Sequence, residues 1–187
     1  MATDRRFCRF NASPETASFS VTEIPPDGFC ISAFVVLQDP TDPWRVLMGH
    51  LNPHAPWDHL GALDPSRVEV HRHRWMLPSS HLIYGERPKA AAQRILSEQL
   101  ELPPTLPLDE PRIFSEVGPA RRFPGLKGHW DLELIFQGRL SPPELKPAHA
   151  WTDLAFVDLR TVGRSHIARS HDQVLDLVGL SPSEDPD

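Results

Sequence analysis

Apolar positions along this chain fall into runs and alternations that read as strands, and one long stretch has helical spacing. Phe29-Cys30-Ile31-Ser32-Ala33-Phe34-Val35-Val36-Leu37 is a nearly continuous apolar run, the pattern of a central strand buried on both faces. Asp39-Pro40-Thr41-Asp42-Pro43 makes a turn, and Trp44-Arg45-Val46-Leu47-Met48 returns as an antiparallel partner. Residues 49–67 are rich in Pro and His and read as one long loop, and long loops in compact domains are often functional. Residues 68–76 alternate as a strand with Glu69, His71, His73 and Trp75 on one face. Residues 77–86 then read as a strand end and a polar loop feeding a helix to Leu102. Pro88 sits near the start of that helix, and Pro103-Pro104 ends it.

Ala92, Leu96 and Leu100 repeat at helical spacing beside Ile95, so that side packs on a core. Arg87, Arg94, Glu98 and Glu101 share the other side. Short strands follow at residues 112–117, 129–138 and 150–157. The second of these alternates, with Trp130, Leu132, Leu134 and Phe136 on one face and Asp131, Glu133 and Ile135 on the other. A closing helix is expected over residues 165–178. This order of strands, helix, strands and helix predicts a mixed β-sheet with helices packed on it.

Composition narrows the picture. A chain of 187 residues with 40% hydrophobic content suits one core. An extension over residues 1–27, a domain over 28–180 and a disordered acidic tail over 181–187 are expected. The net charge of −6 argues against nucleic acid as the partner, yet it leaves room for a local basic pocket that takes a phosphorylated small molecule. Cys8 and Cys30 supply no disulfide framework. The first 20 residues lack a signal-peptide core, and no run is long enough to span a membrane, so a cytoplasmic location is expected.

The chemistry concentrates in residues 75–102. Trp75-Met76-Leu77-Pro78, then Ser79-Ser80, Gly85-Glu86, Arg94 and Glu98 resemble the Nudix hydrolase box. That box reads Gly, five residues, Glu, seven residues, Arg-Glu, an aliphatic, any residue, Glu-Glu, any residue, Gly, an aliphatic. Its spacing runs without a gap from Ser80 to Leu102. Ser80 falls at the first glycine, Glu86 at the first glutamate and Arg94 at the arginine; Leu96, Glu98 and Leu102 follow in register. The resemblance covers about residues 29–180 and implies a Nudix-like α/β/α sandwich with a mixed β-sheet.

The box is degenerate. Ile95 replaces the glutamate after the arginine, Gln99 the second of the glutamate pair, Ser79-Ser80 the paired glycines and Glu101 the last glycine. In the family the helix carboxylates hold Mg²⁺ or Mn²⁺, and the metal activates water against a phosphoanhydride. Hard cations want several charged oxygens, and here only Glu98 remains of those three helix carboxylates. Gln99 has a neutral carbonyl to offer and Ile95 nothing. Glu86 and Arg94 are expected to brace the loop on the helix.

The resemblance leaves several readings open. In the first, a nucleotide or other phosphorylated small molecule is bound while the usual hydrolysis is weak or lost, with no cofactor needed. In the second, the chain is an active Mg²⁺- or Mn²⁺-dependent hydrolase of a nucleoside-diphosphate-linked substrate. It would use a rebuilt metal site, with Glu98 as ligand joined by Glu116, Asp131, Glu133, Glu144 or His81. A third is a non-catalytic interaction scaffold, and a fourth a histidine metal site on Glu69, His71 and His73. Relatives of this fold often pair, which makes a homodimer a further expectation. Arg121, Arg122 and Lys127 are candidate phosphate contacts. Trp57 and Tyr84 are expected to pack against the core, as is Cys30.

Overall fold

The computed structural model of the chain describes residues 9–10, 29–118, 129–142, 145 and 148–185. Their centre is β2 (Phe29–Asp39). It pairs in parallel with β6 (His129–Arg139) from Phe29↔Trp130 to Gln38↔Arg139. Three segments share its other edge in succession: β1 (Arg9–Phe10), β4 (Ser79–His81) and β3 (Asp42–Leu51), all antiparallel. β5 (Arg112–Gly118) and β7 (Trp151–Asp158) complete the order β5-β6-β2-β3-β7.

The sheet is therefore mixed, and each face carries a core. Ala33, Val35 and Leu37 of β2 pack with Ala91, Ala92, Ile95, Leu96 and Leu100 of the helix on one side. Phe34 and Val36 point the other way, into a cluster with Val174 and Leu175 of the closing helix. A strand buried on both faces has no polar side to show, which explains its unbroken apolar run. β6 behaves alike: Leu134 and Phe136 join the first cluster and Ile135 the second, on the two faces expected of them, and all three are buried. The result is an α/β/α sandwich.

Several expected elements are corrected. Residues 49–67 are not one loop. β3 runs on to Leu51, and α1 (Trp57–Gly61) follows with Trp57 buried as expected, edge-on to Trp151 at 5.0 Å between ring centroids. Residues 68–76 do not form a strand. The Asp64 carboxylate accepts from the Arg67 amide at 3.1 Å and Pro65 opens the first turn, so α2 (Pro65–His71) forms and takes the alternating residues into a helix. The face expected to align Glu69, His71, His73 and Trp75 is thereby dissolved. Glu69 pairs with Arg72 at 2.9 Å, while Trp75 bridges Ile167.

The box helix is α3 (Pro88–Arg94), continued by a single π turn, Ile95–Gln99. It ends where Glu101, at the family's glycine position, takes a left-handed φ of 53°. The Glu101 carboxylate accepts from the His149 amide at 2.9 Å, which ties this strained corner to the chain ahead of β7.

The closing helix is also shorter than expected. A 3₁₀ turn (Arg164–His166) leads to an extended Ile167-Ala168 that pairs with Trp75. Arg169 and Ser170 take left-handed backbone, and α4 (His171–Leu177) follows. Residues 181–185 are not a loose tail. Ser183 donates its amide to the Leu159 carbonyl at 2.8 Å, Glu184 pairs with Arg164 at 3.2 Å, and Asp185 accepts from the Ser165 amide at 3.0 Å.

Candidate functional site

The loop after β4 is held by an ion pair at the end of α3. Glu86 Oε1 and Oε2 each accept from Arg94, from Nε and Nη2, at 2.8 Å. Glu86 Oε2 also accepts from the Ile83 amide at 2.9 Å, closing the turn in which Gly85 has φ 80°. Arg94 reaches back to β4 as well, donating to Ser80 Oγ and to the His81 carbonyl at 3.1 Å each. The two side chains are 9% and 12% exposed, so this fork-to-fork pair is largely shielded from water. Glu86 and Arg94 thus meet as their box positions imply. Tyr84, in the same loop, is 79% exposed and not packed on the core as expected.

Two positions where the resemblance places metal-ligating glutamates hold buried side chains. Ile95 is completely buried among Ala91, Ala92, Leu96 and Leu100. Gln99 is 1% exposed, and its amide oxygen and nitrogen are both hydrogen-bonded. Oε1 accepts from the Ser79 amide at 3.2 Å, while Nε2 donates to the carbonyls of Ser79 at 2.8 Å and Leu60 at 2.9 Å. Its backbone carbonyl accepts from Trp151 Nε1 at 2.8 Å. The neutral carbonyl that Gln99 has to offer accepts from a backbone N–H. Glu98 sits half-buried on the π turn.

These residues do not fit a Mg²⁺ or Mn²⁺ centre of the family's kind. One position is a core aliphatic, one is an amide committed to the loop backbone, and a single carboxylate is left. Among the described residues, no group of three or more His, Cys, Asp and Glu is placed to hold a metal ion.

Of the other expected ligands, Glu116, Asp131, Glu133 and His81 lie on the opposite face of the sheet from the box helix. β2 brings Ser32 opposite Glu133 and Cys30 opposite Asp131, and Glu116 on β5 lies opposite Asp131. Cys30 is buried as expected, and its thiol donates to Asp131 Oδ1 at 3.1 Å. Burial, then the charges of Asp131 and Glu116, push the Glu133 carboxyl up to about 7. Glu144, Arg121, Arg122 and Lys127 lie outside the described residues.

A small cleft lies beside β4, with Phe34 and Gly61 among its lining residues. Ser32, Ser79, Ser80, His81 and Arg169 also line it. Ser32 Oγ and His81 Nδ1 are 3.1 Å apart. Near it, His171 is wholly buried, edge-on to Phe34, and its Nδ1 accepts from the Leu77 amide at 3.0 Å. Burial holds that imidazole well below its ordinary pKa, assisted by the charges of Arg169, His71 and Arg67. It is neutral, with the proton on Nε2. The sequence reading missed Ser32, Arg169 and His171. Ser32 was signalled only as the one hydroxyl in the apolar run, and a lone Arg or His in an expected helix carries no signal.

The sequence matches no protein-family model and no curated protein. Solved structures do match the fold. The NUDIX domain of Shewanella oneidensis NrtR, in complex with ADP ribose, has a TM-score of 0.53 at 16% identity, over 90% of this chain and 92% of that one. A MutT/nudix family protein from Listeria innocua gives 0.50 at 17%, over 84% and 94%. One from Enterococcus faecalis gives 0.51 at 14%, over 86% of this chain and 63% of its own length. At such identities the likeness is one of fold: the chain has the Nudix fold. Among the described residues, no helix is long and apolar enough to cross a membrane.

Proposed function

We propose that this chain binds a nucleotide or another phosphorylated small molecule in the cytoplasm and has lost the metal-assisted hydrolysis associated with its fold. The observation that carries the reading is Gln99. Its side chain sits where a metal-ligating glutamate would be, and both its amide oxygen and its amide nitrogen are hydrogen-bonded to the backbone of Ser79 and Leu60. The loop brace of Glu86 and Arg94 is present, while Ile95 and Gln99 stand at two of the three helix positions that would ligate the cation.

The Shewanella domain of the same fold is complexed with ADP ribose, which makes that compound the first probe. The test is a product assay over nucleotide sugars, dinucleoside polyphosphates and nucleoside triphosphates with Mg²⁺, Mn²⁺ or Zn²⁺, run beside calorimetric titrations. Binding without turnover supports the reading. Metal-dependent turnover that Glu98→Gln abolishes contradicts it and favours the rebuilt hydrolase. Neither binding nor turnover favours an interaction scaffold.

A further inference from the structure

The two ends of the sheet are finished differently. On β7 the exposed side chains are Thr152 and Asp153, polar groups that do not invite another strand. On β5 they include Ile113 at 64% and Val117 at 66%, large apolar groups left open to water. Among the described residues no strand pairs with the outer edge of β5, so alternate N–H and C=O groups along it point outward. Its register with β6 is unbroken, and Arg112–Gly118 contains no proline or lysine to blunt the edge.

The order of charges on this strand is self-complementary. Arg112, Phe114 and Glu116 share the sheet face that carries α4, while Ile113, Ser115 and Val117 share the other. Arg112 and Glu116 are four residues apart on one strand, about 13 Å, too far to pair with each other. On β6, Arg112 has Ile135 opposite it, whereas Glu116 has Asp131, a like charge. The neighbouring Glu133 carboxyl is raised by burial and then by the charges of Asp131 and Glu116, so this corner of the sheet is rich in negative charge. A second β5, turned about a two-fold axis at Phe114, sets its Arg112 opposite Glu116 and its Glu116 opposite Arg112. Ile113 then lies opposite Ser115 of the copy and diagonal to its Val117, within packing reach.

We propose that β5 is the interface of a homodimer, two copies pairing antiparallel edge to edge about Phe114 with reciprocal Arg112–Glu116 ion pairs. The two sheets become one, and both open edges are removed. A two-fold contact uses the same patch on each copy, so assembly stops at the dimer. Main-chain hydrogen bonds and the covered apolar side chains supply attraction, and the charges fix the register. With the axis at Ser115 instead, Glu116 would face Phe114 and Arg112 would face Gly118, leaving both charges unmatched. The pairing uses no residue of the box and is independent of what the chain binds.

The test is sedimentation velocity of the full chain over a concentration series, beside Arg112→Glu, Glu116→Arg and the double variant. Wild type is expected to dimerise. Each single reversal sets two like-charge pairs across the axis and should weaken association roughly tenfold or more. The double variant restores opposite charges and should recover the dimer. Mixing the two single variants should also give a dimer, since each supplies the charge that the other now requires; this recovery shows that both are folded. Ile113→Lys, on the other face of the strand, should weaken the dimer while leaving the melting temperature of the monomer unchanged. Wild type that stays monomeric across the series overturns the inference, as does a dimer that survives both single reversals. Single variants that dissociate and fail to recombine on mixing overturn it too.

Discussion

The Gln99 side chain clasps the peptide groups of Ser79 from both sides, taking its amide N–H through Oε1 and giving Nε2–H to its carbonyl. This is how the chain joins the end of its box helix to the strand that opens the loop. The clasp admits only an amide: a carboxylate would face the Ser79 and Leu60 carbonyls with no proton to give. Gln99→Glu is therefore expected to lower stability by about 2–4 kcal/mol, through a buried charge set against two carbonyls. Ile95→Glu should be at least as harmful, since its site is closed on all sides. Urea denaturation checks both. Restoring the two family glutamates is expected to unfold the chain without bringing back Mg²⁺-dependent activity.

The Glu86–Arg94 pair has the opposite character, since here both charges are present and nearly buried. Arg94→Ala strands the Glu86 carboxylate and removes the donors to Ser80 and His81, at an expected loss of about 3–5 kcal/mol. Glu86→Gln should cost less. A double-mutant cycle on denaturation midpoints should then show coupling above about 1 kcal/mol.

Glu133 makes stability depend on pH. Its carboxyl is raised from an ordinary 4.5 to about 7 in the folded chain, so the folded state holds a proton that the unfolded state releases. Stability contributed by this group is present below about pH 4.5 and is lost as pH rises through about 7. Glu133→Gln mimics the protonated form. It should match wild type near pH 4.5 and exceed it above pH 7 by about 1–2 kcal/mol, after allowing for the group's partial exposure. Denaturation midpoints across that range read the difference directly.

Arg164 ties the end of the chain to α4. It meets Asp176 through two nitrogens at 2.8 and 3.0 Å, and reaches Asp172 and Glu184 at 3.2 Å. Arg164→Ala should lower stability by about 1–2 kcal/mol, an effect that shrinks in high salt because the cluster is only partly buried. Hydrogen exchange should rise at Ser183, whose amide otherwise bonds the Leu159 carbonyl.

Much of this fold was legible because its strongest signals are local. The unbroken apolar run of β2, the gapless spacing from Ser80 to Leu102 and the Glu86–Arg94 pair all follow from residue order. The errors came where two periodicities competed. Residues 68–76 alternate like a strand, yet Asp64 and Pro65 just before them cap and open a helix. The left-handed corners at Glu101 and at Arg169-Ser170 carry no glycine to announce them. The cleft draws Ser32, Ser79 and Arg169 from three distant segments, and nothing along the chain relates them. Gln99 was visible as a departure from the box, but its role as a clasp needed the positions of Leu60 and Ser79.

The central claim is that a phosphorylated ligand is held without metal-assisted cleavage, and one titration addresses it most directly. A nucleoside-diphosphate-linked compound is titrated into the full chain, once in EDTA and once in saturating Mg²⁺, and the solution is then assayed for cleaved products. The account predicts the same affinity in both conditions and intact ligand at the end. Binding that requires Mg²⁺, with release of a nucleoside monophosphate that Glu98→Gln abolishes, would contradict it.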